Sequence, residues 1–477
     1  MSAVGGPEVR RARVGRSIVL ALMFTLMGVS GAHAAQAHHP TFSVLVPIVA
    51  QPGATDLLTS EELTAMTAPG GSWAELAHSA ISHGATLAID SRIVTSIETL
   101  GSDAPAVATS WLESVKQSGP VYLAWGNADP FVLAMTTPPF RVSTIQLSEI
   151  SGIPAASIIG WPSGLGGNNR SLRVIQQLGY TSLITDDVAF PEAPGAFSHE
   201  TSVKIAEAVA PGSSSDIRAL VSRLRLGGGA VLALPRNPNA IDTSRAVMFL
   251  DALFDNGSRA RRFTPTAVSD VGSFVFHNVP EIAIRLLMFH HRADRQVSTI
   301  AVDPAVISTP RLRRLCVVAG TIGTSNFGAD VRSLVRNEHS YEEFVTFSLG
   351  SDFTVLANST ELPLTITNTT ASDITVVATV NATSGIVRID KPTHKVTVPA
   401  GSSVQVTFPM SSVANGRTSL RATLNTAAGL AISEPAYVEI DVQAQWEGVT
   451  LFIFVGLVST MLSIGIIRQI RDRRPRS

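Results

Sequence analysis

The chain has one cysteine, Cys316, in 477 residues. No intrachain disulfide can form, which excludes a small disulfide-stapled scaffold and leaves stability to hydrophobic cores. A basic excess is also missing. The formal net charge is -1, and it conceals an asymmetry. Four arginines and Glu8 lie in residues 1–34, and five arginines and Asp472 in residues 468–477, so 27 basic residues face 35 acidic ones between them. A region of that sign has no electrostatic reason to bind nucleic acid. Signatures of catalysis are scarce as well. His78 and His83 stand five apart, not the four that puts two ligands on one helix face, and no His-x3-His is present, so no metal site is expected. In Gly160-Trp161-Pro162-Ser163-Gly164 the serine is displaced by one position from a Gly-x-Ser-x-Gly elbow, and no histidine partner follows. Gly164, Gly166 and Gly167 read as an ordinary strand-to-helix turn, and no cofactor is expected.

Both ends carry targeting signals. Arg10, Arg11, Arg13 and Arg16 precede the uncharged run Ser17 to Ser30 and then Ala32-His33-Ala34, the order of a secretory signal peptide, so residues 1–34 are set aside from the fold. Val449 to Ile467 contains no ionisable side chain. As a helix it is about 29 Å long, enough for a hydrocarbon core of about 30 Å. Trp446 precedes it and Arg468, Arg471, Arg473, Arg474 and Arg476 follow. The positive-inside bias then puts residues 468–477 in the cytoplasm as a basic tail and the bulk of the chain outside a cell membrane crossed once.

From residue 41 to 279, short apolar runs alternate with amphipathic ones. Phe42 to Val49, Thr86 to Ile89, Val121 to Trp125, Ser157 to Trp161, Thr181 to Thr185 and Ala230 to Leu234 read as strands. The helices between them carry start and stop signals, such as Ser72 with Glu75 as a capping box and Gly84 as a stop. This alternation predicts βαβ units and a parallel sheet, either open or closed as an incomplete β/α barrel, of which the barrel is the favoured reading. Residues 280–350 read as a helical connector. From residue 351 to 443 the period becomes two: Leu362, Leu364 and Ile366, then Val376, Ala378 and Val380, then Leu420, Ala422 and Leu424 alternate with polar residues. Turns at Ala400-Gly401 and Asn415-Gly416 complete the pattern of an immunoglobulin-like β-sandwich.

The stretches LPLTITNTT, VTVPAGSSVQVTFP, NGRTSLRATL and YVEIDV, followed at once by an apolar helix and a basic tail, resemble an uncharacterised actinobacterial family, domain of unknown function 6049. LAIDSRIV, YLAWGNADP and GWPSGLGGNNRSLRVIQQLGYTSLITD are similar to its N-terminal half. Members are commonly encoded beside a peptidoglycan lipid II flippase, which implies an envelope role. Trp161-Pro162 before a helix, and Gly179 before a strand ending at Asp186, also look like polysaccharide deacetylase and family-57-type glycosidase barrels, in which Trp-Pro-Glu supplies a catalytic carboxylate. Ser163 stands here where that Glu would be.

Glycoside hydrolysis generally uses two carboxylates flanking the scissile bond. Asp90, Asp129, Asp186 and Asp187, all at strand exits, are the candidate substitutes, although such residues are more often caps. Asn127, Trp161 and Ser163 are candidate ligand contacts. The expectation is a non-catalytic, membrane-anchored envelope protein that binds a cell-wall glycan or a peptidoglycan-assembly protein. The alternative is a carbohydrate hydrolase or deacetylase using the strand-exit acids.

Overall fold

The computed structural model describes residues 41–52, 55–134, 142–162, 169–190, 193–227, 229–270, 280–443 and 446–472. The expected signal peptide, Ser163 and the end of the basic tail lie outside these residues.

In the first part of the chain, β1 (Ser43–Ile48) leads to α1 (Ser60–Thr67) and α2 (Ser72–His83), and β2 (Thr86–Asp90) to α3 (Ser91–Leu100) and α4 (Ala106–Gln117). After β3 (Val121–Leu123) come α5 (Pro130–Ala134) and α6 (Thr144–Ser151), and after β4 (Ile158–Ile159) comes α7 (Asn169–Gln177). β5 (Ser182–Leu183) precedes α8 (His199–Val209) and α9 (Ile217–Leu226). β6 (Val231–Ala233), α10 (Thr243–Leu253) and β7 (Thr266–Ala267) follow. β1, β2, β3, β4 and β6 form one parallel sheet in the order β4-β3-β2-β1-β6.

Every residue of β1 and β2 is buried, as expected of strands covered on both faces. Alternate side chains serve two cores: Val44, Val46 and Ile48 face the helices, while Leu45 joins Ala88, Leu123, Ile184 and Ala233 in a smaller inner cluster. Beyond β4 the sheet curls through single backbone bonds. Ile184 N donates to Gly160 O at 2.8 Å, Phe197 N to Thr185 O at 2.9 Å, and Ser198 N to Val231 O at 3.3 Å.

The proposed capping box at Ser72 is corrected. Ser72 is the first helical residue, Gly71 is the cap without a side-chain bond, and Glu75 accepts from Gly70 N. Reciprocal boxes form instead at Thr59 with Glu62 and at Ser143 with Gln146.

The segment read as a connector forms α11 (Glu281–Ser298), α12 (Ala305–Ala319) and α13 (Phe327–Asn337), and these do more than connect. Ile284, Leu287, Leu315, Cys316, Phe327 and Val331 belong to the same core as Val44 and Leu87. The end of α12 lies directly on the turn Trp125–Asn127. Gly126, at φ 60°, packs on the Val317 backbone, and a β-carbon on Gly320 would fall inside the Gly126 carbonyl oxygen. Neither clash is with a flexible side-chain end, so a substitution must move a helix. Gly320→Ala is therefore expected to destabilise the protein by about 1–3 kcal/mol or more, read as a lowered denaturation midpoint. An unchanged midpoint would show that this contact is slack.

Val345 opens the second part of the chain, ahead of the boundary at 351, because β8 (Val345–Leu349) is already a sandwich strand. With β9 (Phe353–Val355), β10 (Ser359–Asn368), β11 (Ile374–Ala382), β12 (Val387–Ile389), β13 (Thr393–Val398), β14 (Ser403–Ser412), β15 (Gly416–Asn425) and β16 (Ala436–Val442), it makes two sheets. Their orders are β12-β14-β10-β8 and β13-β11-β15-β16-β9. The predicted alternation holds in the packing, with Leu362, Leu364, Ile366, Val376, Ala378, Val380, Leu420, Ala422 and Leu424 all buried in one cluster. Val297, Ile300 and Ile307, from the α11–α12 region, join that cluster too. Finally, α14 (Trp446–Asp472) contains the span Leu451–Gln469, with mean hydropathy 2.1 and no part of it buried, long and apolar enough to cross a membrane.

Candidate functional site

The segments that leave the carboxyl ends of the parallel strands surround a cleft of about 400 Å³. Val49 and Ala50 follow β1, Gly126 and Asn127 follow β3, Trp161 and Pro162 follow β4, Asp186 follows β5, and Leu234 to Asn239 follow β6. The opposite wall is Val317 and Gly320 of the α12 end, Thr321, Thr324 and Asn326 of the next loop, and Asp330 of α13. Strand carboxyl ends are where open α/β sheets and barrels place their ligands, and this volume suits a small molecule or one or two sugar rings.

Asn127 is the one non-glycine with positive φ among the described residues, at 55°, and it is buried. Strained backbone of this kind costs of order 1 kcal/mol or more, and it persists where surrounding structure holds it. Arg236 does so here. Its Nη2 donates to Asn127 O at 2.7 Å, its Nη1 donates to Trp161 O, and Nη1 lies 3.9 Å from Asp129 Oδ2. One guanidinium thus ties the exits of β3, β4 and β6. Burial lowers its pKa, against the opposing pull of Asp129. Its role left no trace in the sequence, because its partners are backbone carbonyls 109 and 75 residues away.

All four candidate acids are engaged by backbone N–H groups. Asp90 is fully buried as the N-cap of α3, with Oδ1 accepting from Arg92 N at 3.0 Å and Gly126 N at 2.9 Å. Asp129 accepts from Phe131 N at 2.7 Å and Val132 N at 3.3 Å. Asp186 accepts from Val188 N at 3.0 Å and Ala189 N at 2.7 Å, and Asp187 from His199 N at 2.7 Å. Each therefore satisfies backbone donors at a turn or helix start. Of the four, Asp186 alone lines the cleft.

His199, half exposed on its side chain, brings its Nδ1 to 3.9 Å from Asp186 Oδ1. Ser202 also lines the cleft, and its buried hydroxyl has no hydrogen-bond partner, so nothing couples it to the imidazole. Trp161 meets Phe197 edge to face at 6.1 Å and forms an apolar floor. His199 lies thirteen positions after Asp186, a spacing that belongs to no motif.

Burial pushes the Asp90 carboxyl up to about 6, against the opposing Arg92 backbone bond and charge. A group whose folded pKa is raised favours the folded state when protonated. Its stabilisation is full below the unfolded value of 3.8 and is lost as pH rises through about 6. Asp90→Asn keeps the capping oxygen and removes the ionisation. It is expected to raise stability at pH 7.5 by up to about 3 kcal/mol and to change little at pH 4. Melting curves at the two pH values test this, and a variant weaker than the parent at pH 7.5 contradicts it.

A second polar cluster lies away from the cleft. His290, Asp294 and Glu338, all buried, bring donor atoms within 4.8 Å of one another. The cluster already holds a guanidinium: Arg311 Nη1 is 3.1 Å from Glu338 Oε2 and 3.9 Å from Asp294 Oδ1, and His290 Nε2 is 3.1 Å from Glu338 Oε2. The cluster is an ion-pair joint between the helices and the sandwich.

A parallel-sheet part roofed by helices, a β-sandwich and a single apolar C-terminal helix thus define the class: the pattern fits a single-pass membrane protein. Residues 338–477 match the profile of a family of unknown function, DUF6049. The match takes in the sandwich and α14, while residues 41–337 fall outside it, so the likeness of the N-terminal half to that family is not carried by this comparison. No curated protein matches the chain.

Among solved structures the chain is similar to Escherichia coli alpha-2-macroglobulin, at 20% identity and a TM-score of 0.18, over 21% of this chain and 7% of that one. It is also similar to the CARDB domain of PF1109 from Pyrococcus furiosus, at 15% identity and a TM-score of 0.18, over 20% of this chain and 93% of that one. A third similarity is to WR4, a Caenorhabditis elegans MSP family member, at 13% identity and a TM-score of 0.17, over 22% and 99% of the respective chains.

Proposed function

We propose that this is a non-catalytic envelope protein, anchored by α14, whose strand-exit cleft binds a neutral saccharide of the cell wall. In this reading residues 35–443 are exported, the basic tail is cytoplasmic, and the curled sheet is an incomplete β/α barrel of glycosidase type that has lost its catalytic pair. The observation that carries it is the use of all four strand-exit carboxylates as backbone caps, in a cleft whose other polar lining is the amides of Asn127, Asn237, Asn239 and Asn326 and the hydroxyls of Ser202, Thr321 and Thr324, with Asp330, Arg236 and His199 beside them. Amide and hydroxyl groups pair well with sugar hydroxyls, and the aromatic floor offers apolar contact to the C–H groups of a sugar ring. The envelope setting, in connection with peptidoglycan assembly, follows from the family resemblance of the C-terminal part.

The test is calorimetric titration of residues 35–443 with muropeptides and arabinogalactan fragments. Asn239→Ala, at an exposed cleft position, and His199→Ala should weaken binding at least threefold, and no reducing ends or acetate should be released. Absence of binding to every saccharide tested would reject the reading.

The Asp186 and His199 pair is the specific observation that favours the alternative, a hydrolase or deacetylase. Turnover that disappears in Asp186→Asn or His199→Ala while the fold survives would establish it.

A further inference from the structure

β16 ends at Val442 and α14 begins at Trp446, so only residues 443–445 separate the sandwich from the apolar helix. The four peptide steps from Val442 to Trp446 reach roughly 14 Å at full extension. Where α14 is embedded, the Val442 end of the sandwich is therefore confined to the neighbourhood of the headgroup layer.

That end is built from three turns held together. Ser412 N donates to Asn358 O at 2.9 Å, Ser412 Oγ to Ala357 O at 3.0 Å, and Val413 N to Ile386 O at 2.8 Å. Pairing of Gly416 with Val442, and of Val442 with Val355, places all three turns beside the start of the tether. Among the described residues of 338–443, three large apolar side chains are exposed: Leu356 at 59%, Val413 at 60% and Tyr437 at 61%. Two of the three sit on this end. Residues 356–358, 383–386 and 413–416 contain no charged side chain, so no ion on these turns has to give up its hydration. Apolar tips on an uncharged rim, next to a membrane helix, suit the boundary between headgroups and acyl chains.

We propose that this end of the sandwich seats on the bilayer that holds α14, with Leu356 and Val413 inserted among the lipid headgroups. The contact fixes the height of the cleft above the membrane and rests on the anchor reading of α14.

The full chain, reconstituted in phosphatidylcholine and phosphatidylglycerol vesicles, provides the test. Single cysteines are introduced as Leu356→Cys, Val413→Cys and, in the β15–β16 loop at the opposite end, Ala428→Cys, each labelled with an environment-sensitive fluorophore. Native Cys316 is buried, and the unmodified chain serves as the labelling control. Lipids carrying a shallow spin label should quench the fluorophores at 356 and 413 at least twofold more than at 428. Equal quenching at all three positions, in protein that resists alkaline extraction, overturns the seating and leaves the anchor intact. Release of the whole chain by alkaline extraction overturns both.

Discussion

Arg311→Met is expected to weaken the protein by about 3–5 kcal/mol and to split its thermal unfolding into two transitions. Arg311 is 1% exposed and joins the two cores by several bonds at once. Its Nη1 donates to Glu338 O at 2.8 Å, its Nη2 to Ser340 O at 2.6 Å, and its guanidinium lies 4.4 Å over the Tyr341 ring. Tyr341 donates in turn to Asp294 Oδ1 at 2.9 Å. Methionine retains much of the volume but removes one cation from the cluster, leaving Asp294 beside His290 and Glu338 between His290 and Arg314.

Burial raises the Glu338 pKa, but the His290 bond and the charges of Arg311 and Arg314 outweigh it and hold the carboxyl below its ordinary value. A depressed carboxylate contributes stability above its unfolded pKa of 4.5 and loses it as pH falls through the folded value. The variant should therefore lose most at neutral pH and converge on the parent under acid. Calorimetry at pH 7 and pH 4 reads both effects, and adding Glu338→Gln should recover part of the loss. A single unshifted transition at pH 7 would show that the joint carries no stability.

Leu364→Asp is expected to abolish folding of the sandwich. Leu364 is fully buried, paired across to Val406 on one side and Leu349 on the other. A carboxylate there has no partner, and its desolvation exceeds the few kcal/mol that a domain of this size has in reserve. The same register sets the minimal folding unit. A fragment of residues 351–443 lacks β8 and uncovers one side of β10, whereas residues 338–443 keep β8 and Tyr341. The longer fragment should unfold cooperatively in urea and the shorter at a clearly lower midpoint. Equal midpoints would mean that β8 is an ornament of the fold.

Much of this architecture was legible because its signals are local. Leu362, Leu364 and Ile366 alternate with polar residues and are buried, and the parallel strands are short apolar runs separated by amphipathic ones. The helix Ser91–Leu100 carries no such signal, because Asp90 ends the strand and caps the helix at once, with no loop between them to mark the change. For the same reason Asp90 looked like a strand-exit acid.

Arg92, Arg236 and Arg311 were illegible as structural residues because arginine ordinarily signals a surface. Each reaches buried or half-buried backbone carbonyls that are distant in sequence: Arg92 bonds Gln51, Thr55 and Asp56, and so pins the segment that leaves β1. The helices of residues 281–337 looked like connectors because their apolar residues are interrupted by arginines, of which Arg311, Arg313 and Arg314 find partners outside their own helix. Of the candidate contacts, Asn127 and Trp161 do reach the cleft, but the wall from residues 317–330 carried no signal at all.

The contact of Gly320 with Gly126 has a consequence for the order of assembly. A ribosome delivers the chain from its N-terminus, so all the parallel strands exist before the helix end that roofs them has been made. About 190 residues separate the two glycines, and contacts of such sequence separation form late. Until then Trp125 and the backbone around Asn127 lack part of their cover, and the half-built sheet is a species prone to association. Completion of the ligand cleft is thus a late event in biogenesis, coincident with the first appearance of the sandwich, and truncation before residue 320 removes the cleft's far wall even where every strand has formed.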